Sequence, residues 1–436
     1  MRKRVTVNGQ RECNGCCVIC ASVASGGITK VCIIVSSGNL AAGIGREVLY
    51  CSTMTGVCLP KHLPPVMLLG DKFGYPSGVS HGLTTYYLNV VPHLSREVDL
   101  TVCLLREPHP AARELNSAGI EPVFFSARRW NPFVVLQVAA LAKQRGCRII
   151  HAGGIKAALV ARAVARLLDA SVLVHVHDEK IPPASIRFLH RMFARPTDLG
   201  ICVSRAVSEN AHGSYYLARN RLRIVHNGVE LERFRQIAPD ARHRVRAELD
   251  IPSNARVLAL IGRFYVLKGH EEMIRMMCAI ATRCPDVVLI LAGDGPDRLA
   301  CESLAAQLGV KSHLRFLGQR NDVAALLEAS DLVVMPSHTE GFPLAVVEAL
   351  AIGRPVVGYD VGGIGEAIDC GQTGRLVPAR NMDAFVDAVV SLLEDRATLA
   401  AYSKRAFAAA EKYSSSAHVA SLLECYEEVA GVTPAS

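Results

Sequence analysis

No apolar run in this 436-residue chain is long and unbroken enough for a membrane-spanning helix, so none is expected. Concentrated charge is also missing. A fifth of the residues are charged and the net charge is +8, too diffuse for a nucleic-acid partner yet compatible with an anionic ligand or lipid. The chain has no clean G-x-G-x-x-G. Gly74, Gly78 and Gly82 punctuate DKFGYPSGVSHG at other spacings, and no acidic ribose ligand is identified about twenty positions on, which argues against a dinucleotide cofactor. Cys13, Cys16, Cys17 and Cys20 make two adjoining C-x-x-C spacings. No second cysteine or histidine pair follows at finger-like spacing, so a zinc or iron–sulfur site is outweighed by a plain N-terminal extension. No short tandem repeat is evident.

What is present suits a globular protein of two domains. Half of the residues are hydrophobic, and the length gives each domain its own core. Seven of the fifteen cysteines precede residue 64. The others sit mostly among apolar neighbours and read as small core residues in a reducing cytoplasm. Residues 1–64 show no clear periodicity and read as an extension, either disordered or upstream of the true start. Met67, opening the first credible strand, would make a natural initiator.

From Val66 onward strand-like apolar runs alternate with helical patterns. The first half has strands near 66–70, 100–105, 122–125, 148–151, 172–177, 199–203 and 223–226, with helices such as 82–94, 156–168 and 206–212. The second half repeats the scheme with strands near 257–262, 287–292, 314–317, 332–335 and 355–359. This alternation predicts an α/β fold of parallel sheets covered on both faces, doubly wound and Rossmann-like, with one sheet in each domain and a cleft between. Ligands of such sheets bind beyond the carboxyl ends of the strands.

The motifs lie at those ends. Glu340 and Glu348, eight positions apart, flank a loop and a helix start in SHTEGFPLAVVEAL. Pro343 suits the first position of that helix, and Gly341 and Phe342 shape the loop. A strand, a glycine-bearing loop and a helix N-terminus favour an anion such as phosphate. A carboxylate on each side can then accept hydrogen bonds from hydroxyls. A diphosphate flanked by two polyols is a nucleotide sugar. Gly262-Arg263 ends one strand and Lys268-Gly269 opens the next helix. Two cations there oppose the helix dipole and ask for an anion.

This set resembles the E-x7-E signature of retaining glycosyltransferases of family 4, also called group 1, and the likeness looks continuous from about Val66 to Gly431. It implies the GT-B fold, a nucleotide-sugar donor, and no metal or other cofactor. By this resemblance Arg263 and Lys268 hold the donor diphosphate, Glu348 the ribose, and Glu340 and His177 the transferred sugar. Gly78, Gly262, Arg320, Gly341, Phe342 and Pro343 line the donor, with Arg320 beside the base through its main chain. It also implies an acceptor-side domain over 65–235, a donor-binding domain over 236–414, and a terminal helix over 415–436 crossing back to the first domain. The expected acceptor is a saccharide or lipid-linked species of cell-envelope polysaccharide or glycolipid synthesis, including lipopolysaccharide.

Residues 186–195 interleave apolar and basic side chains. They read either as an ordinary surface helix or as one lying on anionic lipid at the inner face of the membrane. Three alternatives keep the fold and change the function: a nucleotide-sugar epimerase, a hydrolase, or a non-catalytic nucleotide-sugar binder. Both glutamates and both cations being present argues against a decayed site.

Overall fold

The computed structural model describes residues 63–74, 82–126, 131, 133–194 and 197–432, and the backbone of three strands before residue 37. Those strands, β1 (Thr6–Cys13), β2 (Cys16–Ser22) and β3 (Lys30–Ser36), pair antiparallel in that order. They belong to a unit covering Met1–Leu59. The side chains of Cys13, Cys16, Cys17 and Cys20 lie outside the described residues, as does Gly78.

The second unit, Pro60–Ser436, carries two parallel sheets. The first contains β4 (Val66–Gly70), β5 (Leu100–Leu104), β6 (Val123–Phe124), β7 (Ile149–Gly153), β8 (Ser171–Val176), β9 (Leu199–Cys202) and β10 (Leu222–Ile224). Its helices are α1 (Gly82–Glu97), α2 (Ala112–Ser117), α3 (Phe133–Gln144), α4 (Ile155–Val164), α5 (Ala184–Met192) and α6 (Arg205–Tyr215). The short helices α7 (Leu231–Arg235) and α8 (Ala241–Glu248) lead onward.

The second sheet contains β11 (Arg256–Ile261), β12 (Val287–Ala292), β13 (Leu314–Gly318), β14 (Leu332–Met335), β15 (Val356–Tyr359) and β16 (Gly374–Val377). Around it lie α9 (His270–Arg283), α10 (Arg298–Gln307), α11 (Val323–Ala329), α12 (Leu344–Ala351), α13 (Ile364–Ala367), α14 (Met382–Glu394) and α15 (Arg396–Ala409). The terminal helix α16 (Ser415–Ala430) follows.

These strands read as near-continuous apolar runs because helices cover both faces. All six residues of β12, VVLILA, are buried. Buried clusters lie on each side of each sheet, and one of them continues from the first domain's helices into α12. The α16 helix buries Val419, Leu422 and Tyr426 in the cluster that holds Tyr86, Val90 and Leu94 of α1.

Strand order positions the chemistry. In the first sheet, β10-β9-β8-β7-β4-β5-β6, the winding reverses between β7 and β4; in the second, β13-β12-β11-β14-β15-β16, it reverses between β11 and β14. The loops leaving those neighbouring strands diverge and open a crevice at each switch point.

Candidate active site

The loops after β11 and β14 meet because their strands are neighbours. Gly269 makes the approach possible. Its φ of +71° is left-handed, and a Cβ there would lie 1.9 Å from the Pro336 carbonyl oxygen. His338 N–H donates to the Leu267 carbonyl at 2.8 Å, tying the loops together. Lys268 Nζ consequently reaches Glu340 Oε1 at 2.5 Å, and Ser337 Oγ donates to the same oxygen at 3.0 Å. The cation and the carboxylate that the sequence suggests for separate duties are thus an ion pair across 72 residues of chain.

Past Glu340 the chain enters α12. Pro343 is its N-cap, not its first helical residue. With φ −80° and ψ 107°, its carbonyl accepts from the N–H groups of Val346 at 3.1 Å and Val347 at 3.4 Å. Glu348 follows in the second turn, between buried Val347 and Ala349, with its side chain partly open. Burial pushes its carboxyl up to about 7, against a smaller opposing pull from Arg233. Among the described residues it accepts no hydrogen bond, so it meets the crevice as an acceptor without a donor.

Arg263 leaves the end of β11 after Gly262, whose N–H donates to the Ala292 carbonyl at 2.9 Å. Its guanidinium lies 5.7 Å from the Tyr265 ring centre. It also acts across the crevice. Burial, then the charge of Arg263, pulls Lys72 below the usual ammonium range; Asp71 opposes this, and Lys180 and Arg106 add to it. Lys72, Arg106 and Lys180 follow β4, β5 and β8, so cations from both sheets face one region. Such a set of cations favours an entering anion. None of these three was singled out by the sequence reading. Each stands alone in its loop, and only the fold assembles them.

His177 follows the last residue of β8 and touches the opposite wall. A Cβ on Gly341 would lie 2.0 Å from the His177 carbonyl oxygen, so only glycine lets these loops meet. Glu179 accepts from the Thr339 hydroxyl beside them. The His177 ring stacks on His175, with centroids 3.9 Å apart, and meets Tyr86 edge-on at 4.7 Å. Burial, then the neighbouring His151 and His418, pulls His177 down to about 3, with Asn227 acting weakly the other way. It is therefore a neutral imidazole near pH 7, unable to serve there as a cationic acid.

His151 at about 3 and His418 at about 4 are depressed by the same burial, and His175 also lies well below the ordinary value. An unfolded histidine titrates near 6.5, so the unfolded chain binds more protons between that pH and the folded values. The stability carried by these rings is complete above pH 6.5 and lost as the pH falls toward 4 and 3. Each fully depressed ring costs about 1.4 kcal/mol per pH unit within that window. We expect the melting temperature to drop between pH 7.5 and pH 5, above the range where most carboxylates titrate. A flat profile would contradict the burial of the cluster.

Two positions expected beside the donor face elsewhere with their side chains. Phe342 is buried, its ring 4.6 Å from His226 and 5.2 Å from Tyr413, so it packs against those rings and offers the crevice only backbone. Arg320 is tied to Glu248 at 2.6 Å and Asp322 at 2.6 Å, leaving its main chain for any contact with a base. Gly293 has φ +143° and lets the loop after β12 lie on the Gly262 carbonyl.

A family model described as Glycosyl transferases group 1 matches residues 241–409, and one described as Glycosyltransferase Family 4 matches residues 80–233. The chain belongs to the group 1 glycosyltransferases. Together the two models cover every strand of both sheets except β4. Among curated relatives of this family member, D-inositol 3-phosphate glycosyltransferase of Corynebacterium urealyticum is 31% identical over 256 residues, 57% of this chain and 60% of that one. The protein of the same name from Saccharomonospora viridis is 34% identical over 225 residues, 49% of this chain and 52% of that one. The match thus spans between half and three fifths of those relatives' length.

Among solved structures, Anabaena HepE in complex with UDP superposes with a TM-score of 0.73 at 22% identity, covering 83% of this chain and 99% of that one. A glycosyltransferase from Rickettsia africae gives 0.74 at 19% identity, covering 85% and 100%. At such identities the likeness establishes the fold, which is GT-B.

Proposed function

We propose that this chain moves a sugar from a nucleotide diphosphate sugar, of UDP or GDP type, to a hydroxyl of a saccharide or lipid-linked acceptor, with retention of anomeric configuration and without a metal. The observation that carries the reading is the convergence of Arg263 and Lys268 at the β11/β14 switch point, with Glu340 bonded to Lys268 and Glu348 further along α12. As the bond between the anomeric carbon and the diphosphate breaks, negative charge grows on the phosphate oxygens. Fixed cations and the N–H groups at the start of α12 stabilise that charge more in the transition state than in the bound donor. The acceptor oxygen bonds the anomeric carbon on the face the diphosphate leaves, and the acceptor proton passes to a departing phosphate oxygen. Neutral His177 donates or accepts one hydrogen bond at the sugar. Diphosphate drawn to Lys268 loosens its pairing with Glu340 and turns that carboxylate toward sugar hydroxyls.

A phosphorylated polyol is a second acceptor reading, favoured by Lys72, Arg106 and Lys180 on the first-domain side and by the name carried by the curated relatives. The experiment is transfer from UDP-, GDP- and ADP-sugars with and without inositol phosphate or a saccharide, followed by mass spectrometry. Conversion of the donor that needs no acceptor would favour an epimerase or hydrolase.

Peripheral contact with anionic membrane at the cytoplasmic face is a further part of the proposal. Among the described residues no helix is long and apolar enough to cross a membrane. On α5, Phe188 and Met192 are 59% and 56% exposed beside Arg187 and Arg191. We expect sedimentation with vesicles containing phosphatidylglycerol but not with pure phosphatidylcholine, and loss of binding in Phe188→Ser/Met192→Ser. Equal sedimentation of this double variant would remove α5 from the contact.

A further inference from the structure

Behind His177 lies a buried ladder that ends on the C-terminal helix. Tyr426 Oη of α16 is 2.7 Å from His151 Nδ1, and His151 Nε2 is 3.0 Å from His175 Nδ1. The His175 ring then stacks on His177 at 3.9 Å with planes 28° apart. His151, His175 and Tyr426 are each at most 1% exposed. A second arm supports the same wall. His418 Nδ1 lies 2.6 Å from the His226 carbonyl, which can only accept, so Nδ1 carries the hydrogen. His418 Nε2 is therefore free to accept from Tyr86 Oη at 3.2 Å, and the Tyr86 ring stands edge-on to His177.

Donor and acceptor strength set the direction of the first arm. If Tyr426 donates to His151, then His151 Nε2–H donates to His175, and one group is left over, the His175 Nε2–H. That atom is buried without a partner among the described residues. The other direction strands the Tyr426 hydroxyl hydrogen instead, so each strands one hydrogen. A phenol is a better donor than acceptor and an imidazole nitrogen a good acceptor, so the O–H···N bond of the first direction is the stronger and sets the arm.

We propose that Tyr426 is a positioning residue for His177: the C-terminal helix sets the tautomer of His175, and the stacked His175 ring fixes the plane and polarity of the histidine facing the donor sugar. In this dry interior the imidazole dipole of His175 acts on His177 with little screening. Without the Tyr426 hydroxyl, both tautomers of the ladder become comparable and that dipole can reverse. The inference rests on the reading that His177 contacts the transferred sugar, and it makes α16 part of the active-site apparatus instead of a clasp alone.

The test combines ring 15N spectra of the ligand-free protein with a double-variant cycle, run with whichever UDP-, GDP- or ADP-sugar gives turnover. The wild-type spectrum should show His151 and His175 both protonated on Nε2; protonation on Nδ1 at both would overturn the proposal before any variant is made. Tyr426→Phe keeps the ring and removes only the hydroxyl. It should shift the ring signals of His151, His175 and His177 and lower kcat about fivefold, the size of one ordinary hydrogen bond, with donor KM within about twofold. In a His177→Ala background the same change should have no further effect. Val419→Ala, on the same helix but outside the ladder, should lower stability and leave kcat unchanged. Equal loss of kcat from Val419→Ala would make the helix merely structural. If His177→Ala turns over normally, the assignment of His177 fails. If His177→Ala is inactive while Tyr426→Phe is normal, the ladder alone fails.

Discussion

Arg263→Ala and Lys268→Ala each lower turnover at least tenfold, about 1.4 kcal/mol of transition-state stabilisation, while circular dichroism shows an intact fold. The two losses have different origins. Arg263 acts across the crevice as well as on its own side, since its charge is felt by Lys72 in the first domain. Removing it relieves that repulsion, and the expected cost falls on the bound anion. Lys268 is paired with Glu340, whose side chain is only 11% exposed. Removing it leaves a partly buried carboxylate with the Ser337 hydroxyl alone, next to incoming phosphate, so the repulsion adds to the lost attraction. Lys268→Ala should therefore be the worse variant for donor affinity, and Lys268→Ala/Glu340→Gln should recover part of that affinity. Near-normal turnover in both single variants would remove their assigned role.

The second large effect concerns Glu348. Its carboxyl, held up to about 7 by burial, is about half protonated at pH 7 in the ligand-free protein. Ribose hydroxyls donating to it would favour the ionised form, so its pKa falls on binding and about half a proton leaves per nucleotide bound at pH 7. Affinity then weakens as the pH drops below 7, because binding must first remove a proton. Calorimetry in buffers of different ionisation enthalpy measures that proton. The difference between wild type and Glu348→Gln cancels protons exchanged by the ligand's own phosphate. Glu348→Ala should raise the donor KM about tenfold or more, as expected for losing charge-assisted hydrogen bonds. An unchanged KM, or the same proton release from Glu348→Gln, would mean that it is not a ribose ligand.

Much of the framework could be read from residue order because parallel strands buried on both faces are nearly pure Val, Ile and Leu. The β12 and β14 strands fall where the apolar runs place them, at Val287–Ala292 and Leu332–Met335. The β16 strand, GRLV, went unread because it is short and carries a glycine and an arginine. Pro343 sits one position earlier than expected because its carbonyl already serves two helical N–H groups.

At the site, local motifs marked Arg263, Lys268, Glu340 and Glu348, while the relations between them came from strand order. The ion pair between Lys268 and Glu340 exists because β11 and β14 are neighbours across the switch point. Nothing near Phe342 in sequence could reveal that its ring packs on His226 and Tyr413. The same holds for His151, His418 and Tyr426, which meet behind His177 only after α16 returns to the first sheet.

Titration of the ligand-free protein with UDP, GDP and ADP, beside Arg263→Ala/Lys268→Ala, tests the central claim most directly. The account predicts that at least one nucleoside diphosphate binds the wild-type protein and that the double variant binds it at least a hundredfold more weakly, about 2.7 kcal/mol. A folded wild-type protein that binds none of the three, or a double variant that binds as tightly as wild type, would contradict it.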